Sequence, residues 1–480
     1  MHLTHSKRFN IGHPVRCLAL MPSTRSFHAS LAALADATGG IISNLMPEDL
    51  TPETIAFGIT TDSRAVVPGQ LFVALRGETF DGHNYVAAAI SAGAVAAVVE
   101  GEFEAGDLPV LVVSDTLKAY QAIGRWWRRQ FDIPVIAITG SVGKTTTKEL
   151  VAKLLSHFGP VLKTQANFNN EIGVPRTLLE LNAEHQFAVV EMGMRGPGQI
   201  AELALIAEPT IGLITSVGTS HIERLGSRTA IAQAKCELFA EMPSSGIAIY
   251  NADQPLLVTT AQQRWQGKTV SYGFTAGQFQ GRFEGDRLVI DGTAFPLPLP
   301  GEHNAINYLG AFAVLKVLGL DASPFTAGIE ICLPGGRAKR YELTTDGVPN
   351  DIVILDETYN AGLESMLASL TLLSQTPGTR RLAVLGTMKE LGEFSVMFHQ
   401  QVGDRVQELG LDRLLILAEP AEAEALAHHA GRVPSERFST CESLVDRLND
   451  LMQPGDRILV KASRSVGLDR VVNALLKHSD

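Results

Sequence analysis

Ile133-Pro134-Val135-Ile136-Ala137-Ile138-Thr139-Gly140-Ser141-Val142-Gly143-Lys144-Thr145-Thr146 is a short apolar strand running into a glycine-bearing turn that ends in Gly-Lys-Thr. Leu150, Val151, Leu154, Leu155 and Phe158 then recur on one face at helical spacing. Strand, glycine turn and helix in that order make a cradle for nucleotide phosphates. Backbone N–H groups of the turn, Gly140 to Thr146, and the positive end of the helix point at the anion. In such a cradle Lys144 reaches the β- and γ-phosphates, and the hydroxyl of Thr145 or Thr146 ligates magnesium. The pattern is shorter than the full G-x-x-x-x-G-K-[ST], whose first glycine would stand at Ile138. The bare stretch therefore also reads as a glycine turn capping a surface helix.

The rest of the composition narrows the context. A chain of 480 residues is too long for one core, and two to four domains are expected. Hydrophobic content of 45% with 19% charged residues is that of a globular protein, and no apolar run approaches the ~20 residues of a membrane span. A formal net charge of −11 argues against nucleic acid as the main partner. Cys17, Cys236, Cys332 and Cys441 contain no C-x-x-C pair, which suggests neither a zinc site nor a disulfide framework and suits a reducing cytoplasm. Residues 1–20 carry no signal-like apolar core and read as a disordered extension.

Three blocks alternate strand and helix. Residues 21–131 hold strand candidates Gln70–Leu75, Ala94–Val99 and Pro109–Val113, with polar turns Thr61-Asp62-Ser63-Arg64 and Phe80-Asp81-Gly82-His83 at strand ends. Such turns are where α/β folds bind ligands, though they also read as simple turns. Residues 132–334 begin with the phosphate cradle and continue with Phe187–Glu191 and Thr210–Thr215, apolar throughout as buried parallel strands are. A β-rich patch near 269–299 precedes a helix at His303–Leu309. Residues 335–480 alternate four strands, starting at Ile352, Arg381, Arg413 and Arg457, with helical segments, which predicts an open doubly wound sheet of Rossmann style.

Several polar residues punctuate this frame. Glu191 closes its strand, where a carboxylate can face a magnesium bound to the cradled nucleotide, since a phosphate loop needs an acidic partner on a neighbouring strand. His221 follows the next strand, near the expected metal, although a lone loop histidine is more often solvated. Lys235 lies in a largely apolar helix and by pattern reads as a lysine snorkelling to water. Asn167-Phe168-Asn169-Asn170 is a dense polar segment suited to a polar substrate beside the phosphates. Gly335-Gly336-Arg337 marks a hinge from which an arginine can swing onto a transferring phosphate.

Taken together these segments resemble the Mur ligases of bacterial cell-wall synthesis, over nearly the whole chain from about residue 25 and in the expected order. That family's shortened phosphate loop also lacks the first glycine, so Ile138 is no anomaly. The resemblance implies a three-domain α/β architecture: an N-terminal UDP-sugar-binding domain, a central ATP-binding domain on a P-loop-like parallel sheet, and a C-terminal Rossmann-like domain. It further implies that Glu191, His221 and Thr145 hold Mg2+ and that Asn304 contacts the adenine end of ATP. It implies that Lys235 is carbamylated, turning a cation into an anion that helps bind a second magnesium. Arg337 and Asp356 are expected on the nucleotide. Ser63, Arg64, Asp81, Gly82, His83, Asn167, Asn169 and Asn170 are expected on the UDP-linked substrate.

Within the family, Asp356-Glu357-Thr358-Tyr359-Asn360-Ala361 is similar to the signature of the members that add D-alanyl-D-alanine, and Leu385-Gly386-Thr387-Met388-Lys389-Glu390-Leu391-Gly392 resembles its partner segment. Glu357, Thr387 and Gly362-Leu363 depart from the commonest forms. The implied reaction joins UDP-N-acetylmuramoyl-tripeptide to D-alanyl-D-alanine through an acyl phosphate, by a cytoplasmic monomer with no nucleic-acid partner and no membrane span. The rival readings are a relative that adds a single amino acid and, in another class, a nucleotide-driven switch, for which no Asn-Lys-x-Asp segment is present.

Overall fold

The computed structural model describes residues 27–44, 55–101, 103–345 and 348–477; the extension expected at 1–20 lies outside the described residues. Three sheets follow one another along the chain. The first has five strands in the order Ile41–Ser43, Val110–Val113, Ala96–Glu100, Leu71–Val73 and Ile59–Thr60, parallel except at Ile41–Ser43. Beside it His28–Ser30 pairs with Ile55–Phe57.

The second sheet is built around Val135–Thr139, which lies between Phe187–Glu191 and Ile211–Ile214, all three parallel and buried along their length. Burial on both faces is what selects their unbroken Val, Ile, Leu and Ala runs. Parallel order continues outward through Ile247–Asn251, Lys268–Gly273 and Phe279–Glu284. Two antiparallel strands, Arg287–Ile290 and Thr293–Pro296, extend it on that side, and Val161–Lys163, parallel beside Phe187–Glu191 at the other edge, completes nine. The β-rich patch near 269–299 is thus the outer part of the phosphate-loop sheet. The helix expected at 303–309 runs on to Leu318 and packs against the phosphate helix Lys144–Leu155, with Tyr308, Phe312, Leu150 and Leu154 in one core.

The third sheet orders Val348–Glu357, Asp456–Lys461, Arg380–Gly386, Arg413–Leu417 and Ser435–Arg437 in parallel, with Lys339–Thr345 added as an antiparallel edge. Chain reversal beside Asp456–Lys461, the central strand, opens a crevice at the strands' carboxyl ends, where α/β sheets bind ligands. The carboxyl ends of the second and third sheets face a common space.

Candidate active site

The phosphate loop is shaped by contacts that exclude side chains at two points. A Cβ on Gly140 would lie 1.9 Å from Thr215 Oγ1, and one on Gly143, whose φ is +84°, would lie 2.4 Å from Asn307 Oδ1. The loop is stitched to the segment after Ile211–Ile214: Ser141 N–H donates to Ser216 O at 2.9 Å, and Val142 N–H to Ser216 Oγ at 2.9 Å. Gly143 caps the phosphate helix and has no side chain to satisfy its first N–H groups, which leaves them to an anion. Lys144 donates to Gly140 O at 2.7 Å, and burial, opposed by Glu191, holds its amine below the ordinary lysine range.

This loop forms one wall of a cavity of about 750 Å³ between the middle and C-terminal sheets. Of the residues named from sequence, Ser141 through Thr146, Asn167, Asn169, Asn170, Glu191, His221, Asn304 and Arg337 line it. Asn169 Nδ2 donates to Glu191 Oε1 at 2.8 Å, so the polar Asn segment fixes the carboxylate. Gly173 allows that segment to fold tightly, because a Cβ there would meet the Phe168 backbone at 2.3 Å. Asn304 donates to Pro300 O at 2.8 Å.

The other expected residues stand elsewhere. Asp356 is buried behind the wall, its Oδ1 accepting from Thr358 N–H at 3.0 Å and from its hydroxyl at 2.6 Å, and the neighbouring Glu357 lines the cavity instead. In the N-terminal domain, apart from this cavity, Arg64 pairs with Asp62 at 2.8 Å beside Ser63. His83 is buried, with Nδ1 2.7 Å from Asp81 Oδ1 and Nε2 accepting from Glu100 N–H at 3.0 Å. Both ring nitrogens are therefore engaged, so His83 supports the Asp81-Gly82 turn and presents no free nitrogen.

Glu191, Thr145 and His221 bear on the expected magnesium. Glu191 Oε2 is buried and lacks a hydrogen-bond partner, the mark of an acceptor awaiting a cation. No group of three His, Cys, Asp or Glu side chains suited to a metal forms among the described residues. That donor set fits an ion held mainly by nucleotide phosphates with one protein carboxylate, the usual habit of magnesium. His221 adopts φ +66°, and its Nδ1 lies 2.6 Å from Glu390 Oε2 of the C-terminal domain. Lys235 is buried and does not line the cavity. Its amine is held well below the ordinary lysine range, by burial first and then by the nearby Lys144 charge.

Three further groups, Lys461, Glu364 and Glu390, were given no role from sequence. Lys461 ends the central strand of the C-terminal sheet, donates to Asn360 O at 2.9 Å and lies 3.8 Å from Glu357 Oε2. Burial lowers its pKa and raises that of Glu357, each opposed by the other's charge. Its place at a strand's carboxyl end was a usable signal. Arg337 stacks over Tyr359 at 3.7 Å and keeps a buried Nε without a partner. Glu390 and Glu364 reach from the C-terminal domain to the loop Gly218–His221, and their partners lie too far along the chain for any local pattern to reveal them.

The family model described as Mur ligase middle domain matches residues 138–315, that described as Mur ligase, glutamate ligase domain matches 339–464, and that described as Mur ligase family, catalytic domain matches 56–123. A UDP-N-acetylmuramoyl-tripeptide–D-alanyl-D-alanine ligase of Synechocystis is 56% identical over 88% of this chain and 92% of its own length. The crystal structure of MurF from Acinetobacter baumannii superposes with a TM-score of 0.85 at 31% identity, covering 95% of this chain and 100% of that one. MurF of Thermotoga maritima in complex with ADP gives 0.77 at 29% identity, covering 88% and 97%.

Proposed function

The chain belongs to the Mur ligase family, and from that premise we infer that it is an ATP-dependent ligase joining D-alanyl-D-alanine to UDP-N-acetylmuramoyl-tripeptide, in the assembly of the peptidoglycan precursor. One observation carries the reading: the phosphate loop with Lys144 and the Glu357–Asn360 segment with Lys461 line a single cavity, where an activated carboxyl and an incoming amine can meet. A carboxylate is a poor electrophile. Its oxygen attacks the γ-phosphorus, the bond to the ADP oxygen breaks, and an acyl phosphate forms. The dipeptide amine then attacks the acyl carbon, loses a proton and expels phosphate as the amide closes.

In this reading Lys144 and the free N–H groups of the phosphate helix offset charge on the transferring phosphoryl group. Asn169 holds Glu191 in the orientation that receives the cation. Magnesium, when bound with the nucleotide, neutralises phosphate charge, and Glu191 and Thr145 would hold it, with His221 beside them. A neutral Lys235 amine can add carbon dioxide and release a proton to become a carbamate; its burial and lowered pKa support that modification. Arg337, free at Nε, is available to the nucleotide. We assign the domains as 21–131, 132–334 and 335–480, and the site of action as the cytoplasm, where ATP and nucleotide-linked precursors are made. We take the working unit to be a monomer, since the cavity is completed within one chain.

Amine-dependent phosphate release with UDP-N-acetylmuramoyl-tripeptide as acceptor tests the function. D-alanyl-D-alanine should support turnover, and free D-alanine, L-lysine, meso-diaminopimelate and L-glutamate should not. A site built for a dipeptide leaves buried polar groups unpaired around a single amino acid. Preference for one of the single amino acids would overturn the assignment.

A further inference from the structure

The helix Leu363–Gln375 starts directly after the Asp356–Ala361 segment, and its first turn carries Glu364. That carboxylate leaves its own domain. Oε1 accepts from Thr219 N–H at 2.8 Å and Oε2 from the Thr219 hydroxyl at 3.1 Å, both in the middle domain. Gly218 makes room for it: a Cβ there would meet Glu364 Cδ at 2.5 Å, and the three nearest atoms all belong to Glu364. The backbone at Gly218 is not in the left-handed region, so the glycine is needed for the carboxylate's approach and not for its own conformation.

The segment that Glu364 grips is itself bonded to the phosphate loop. Gly218 N–H donates to Ser141 Oγ at 2.8 Å, and Ser220 Oγ donates to Ser141 O at 3.2 Å. A continuous chain of hydrogen bonds thus runs from the phosphate loop through Gly218-Thr219-Ser220 to the helix that follows the C-terminal site segment. Resting on the ligase reading above, we propose that Glu364 is a positioning residue. Its two-pronged grip on Thr219 sets the C-terminal domain in register with the phosphate loop, so that the amine held on one wall meets the acyl phosphate formed on the other. Gly218 is the aperture that admits the grip. Orientation of two reactants is sensitive to small displacements, so loss of the register falls on the joining step and not on nucleotide binding.

The test compares Glu364→Ala, Glu364→Gln, Gly218→Ala and the double variant Gly218→Ala/Glu364→Ala, each checked for an unchanged melting profile. Glu364→Ala should lower kcat/KM for the amine about 10- to 100-fold, the scale of a lost charge-assisted pair of hydrogen bonds. ADP affinity, from titration with a fluorescent nucleotide, should stay within about twofold, since the Glu364 carboxylate bonds to Thr219 and not to the phosphate loop itself. Glu364→Gln should recover part of the loss, because an amide oxygen still accepts from Thr219 N–H. Gly218→Ala should reproduce the loss by displacing the carboxylate, yet add nothing in the Glu364→Ala background. Wild-type kcat/KM in Glu364→Ala, parallel loss of ADP affinity, or losses at 218 and 364 that multiply would each overturn the proposal. Failure of the ligase reading would show instead in the unmodified protein, as turnover with a different amine, and the four variants would then be measured with that amine.

Discussion

The middle domain meets its two neighbours in opposite ways. Toward the N-terminal side the helix Thr116–Arg128 lies along the middle domain so closely that a Cβ on Gly124 already touches Pro175 at 3.0 Å. Trp127 is buried against Phe27 and Phe131, and its Nε1–H donates to Leu181 O at 3.0 Å. Buried Arg128 donates to Ala207 O at 2.9 Å and Glu208 O at 3.3 Å, and Arg125 and Arg129 close on the Glu208 carboxylate. Aromatic burial together with these hydrogen bonds ties the two domains closely. Toward the C-terminal side the ties near the cavity are polar: Glu364 with Thr219, and His221 with Glu390. The helix Ile222–Leu225 packs on the turn Gly392–Phe394 beside them. This junction therefore mixes polar ties with apolar packing around Ile222, Leu225, Leu391 and Phe394, and domain motion is the default expectation unless such a contact is large and hydrophobic. On the proposed reading this asymmetry is useful, since the N-terminal and middle domains would keep one geometry while the C-terminal wall admits and releases substrates.

The contrast is most directly broken at Trp127. Trp127→Ala removes a buried indole and leaves Leu181 O unpaired, and denaturant unfolding should show a loss of about 3–5 kcal/mol. A loss under about 1 kcal/mol would mean that the first junction is as separable as the second. The next effect depends on pH. Burial, reinforced by the Lys461 charge across the second junction, holds His303 down to about 4. The unfolded chain therefore takes up this proton first on acidification, and stability contributed by neutral His303 is complete above pH 6.5 and falls as the pH drops toward 4. The fall is roughly 3 kcal/mol at most. His303→Asn should flatten that part of the stability profile relative to wild type; identical profiles would show that His303 is not held neutral. The smallest effect belongs to Glu390, whose carboxylate His221 holds below the ordinary range. Half exposed as it is, Glu390→Ala should change stability by less than about 1 kcal/mol. Small-angle scattering should meanwhile show a wider spread of C-terminal domain positions, and an unchanged profile would remove this pair from the junction.

Much of the site was legible along the chain because it is local. Gly140, Gly143 and Lys144 sit within one strand–turn–helix unit, and Glu191 closes a strand whose apolar run is visible at once. The Asn167–Asn170 segment reads as polar and its hold on Glu191 follows from adjacent parallel strands. His83 and Asp356 were legible as strand-end polar residues, while the inward hydrogen bonds each makes to its neighbours were not. Lys461, Glu364 and Glu390 escaped notice for a different reason. Their partners are brought to them by strand order and domain placement, and Thr219 lies 145 positions from Glu364.

By itself the sequence determined the three α/β blocks, the phosphate cradle and the resemblance that names the reaction. Apolar periodicity, glycine geometry and motif spacing act over a few residues, so they survive being read in one dimension. Only the tertiary structure decided that the patch near 269–299 joins the phosphate-loop sheet, that His221 faces Glu390, and that Glu364 passes over Gly218 to Thr219. Those outcomes depend on which strands become neighbours and which walls face each other. Burial and charge settle that in three dimensions, where an unpaired carboxylate or amine is costly and the nearest complementary group is rarely the nearest in sequence.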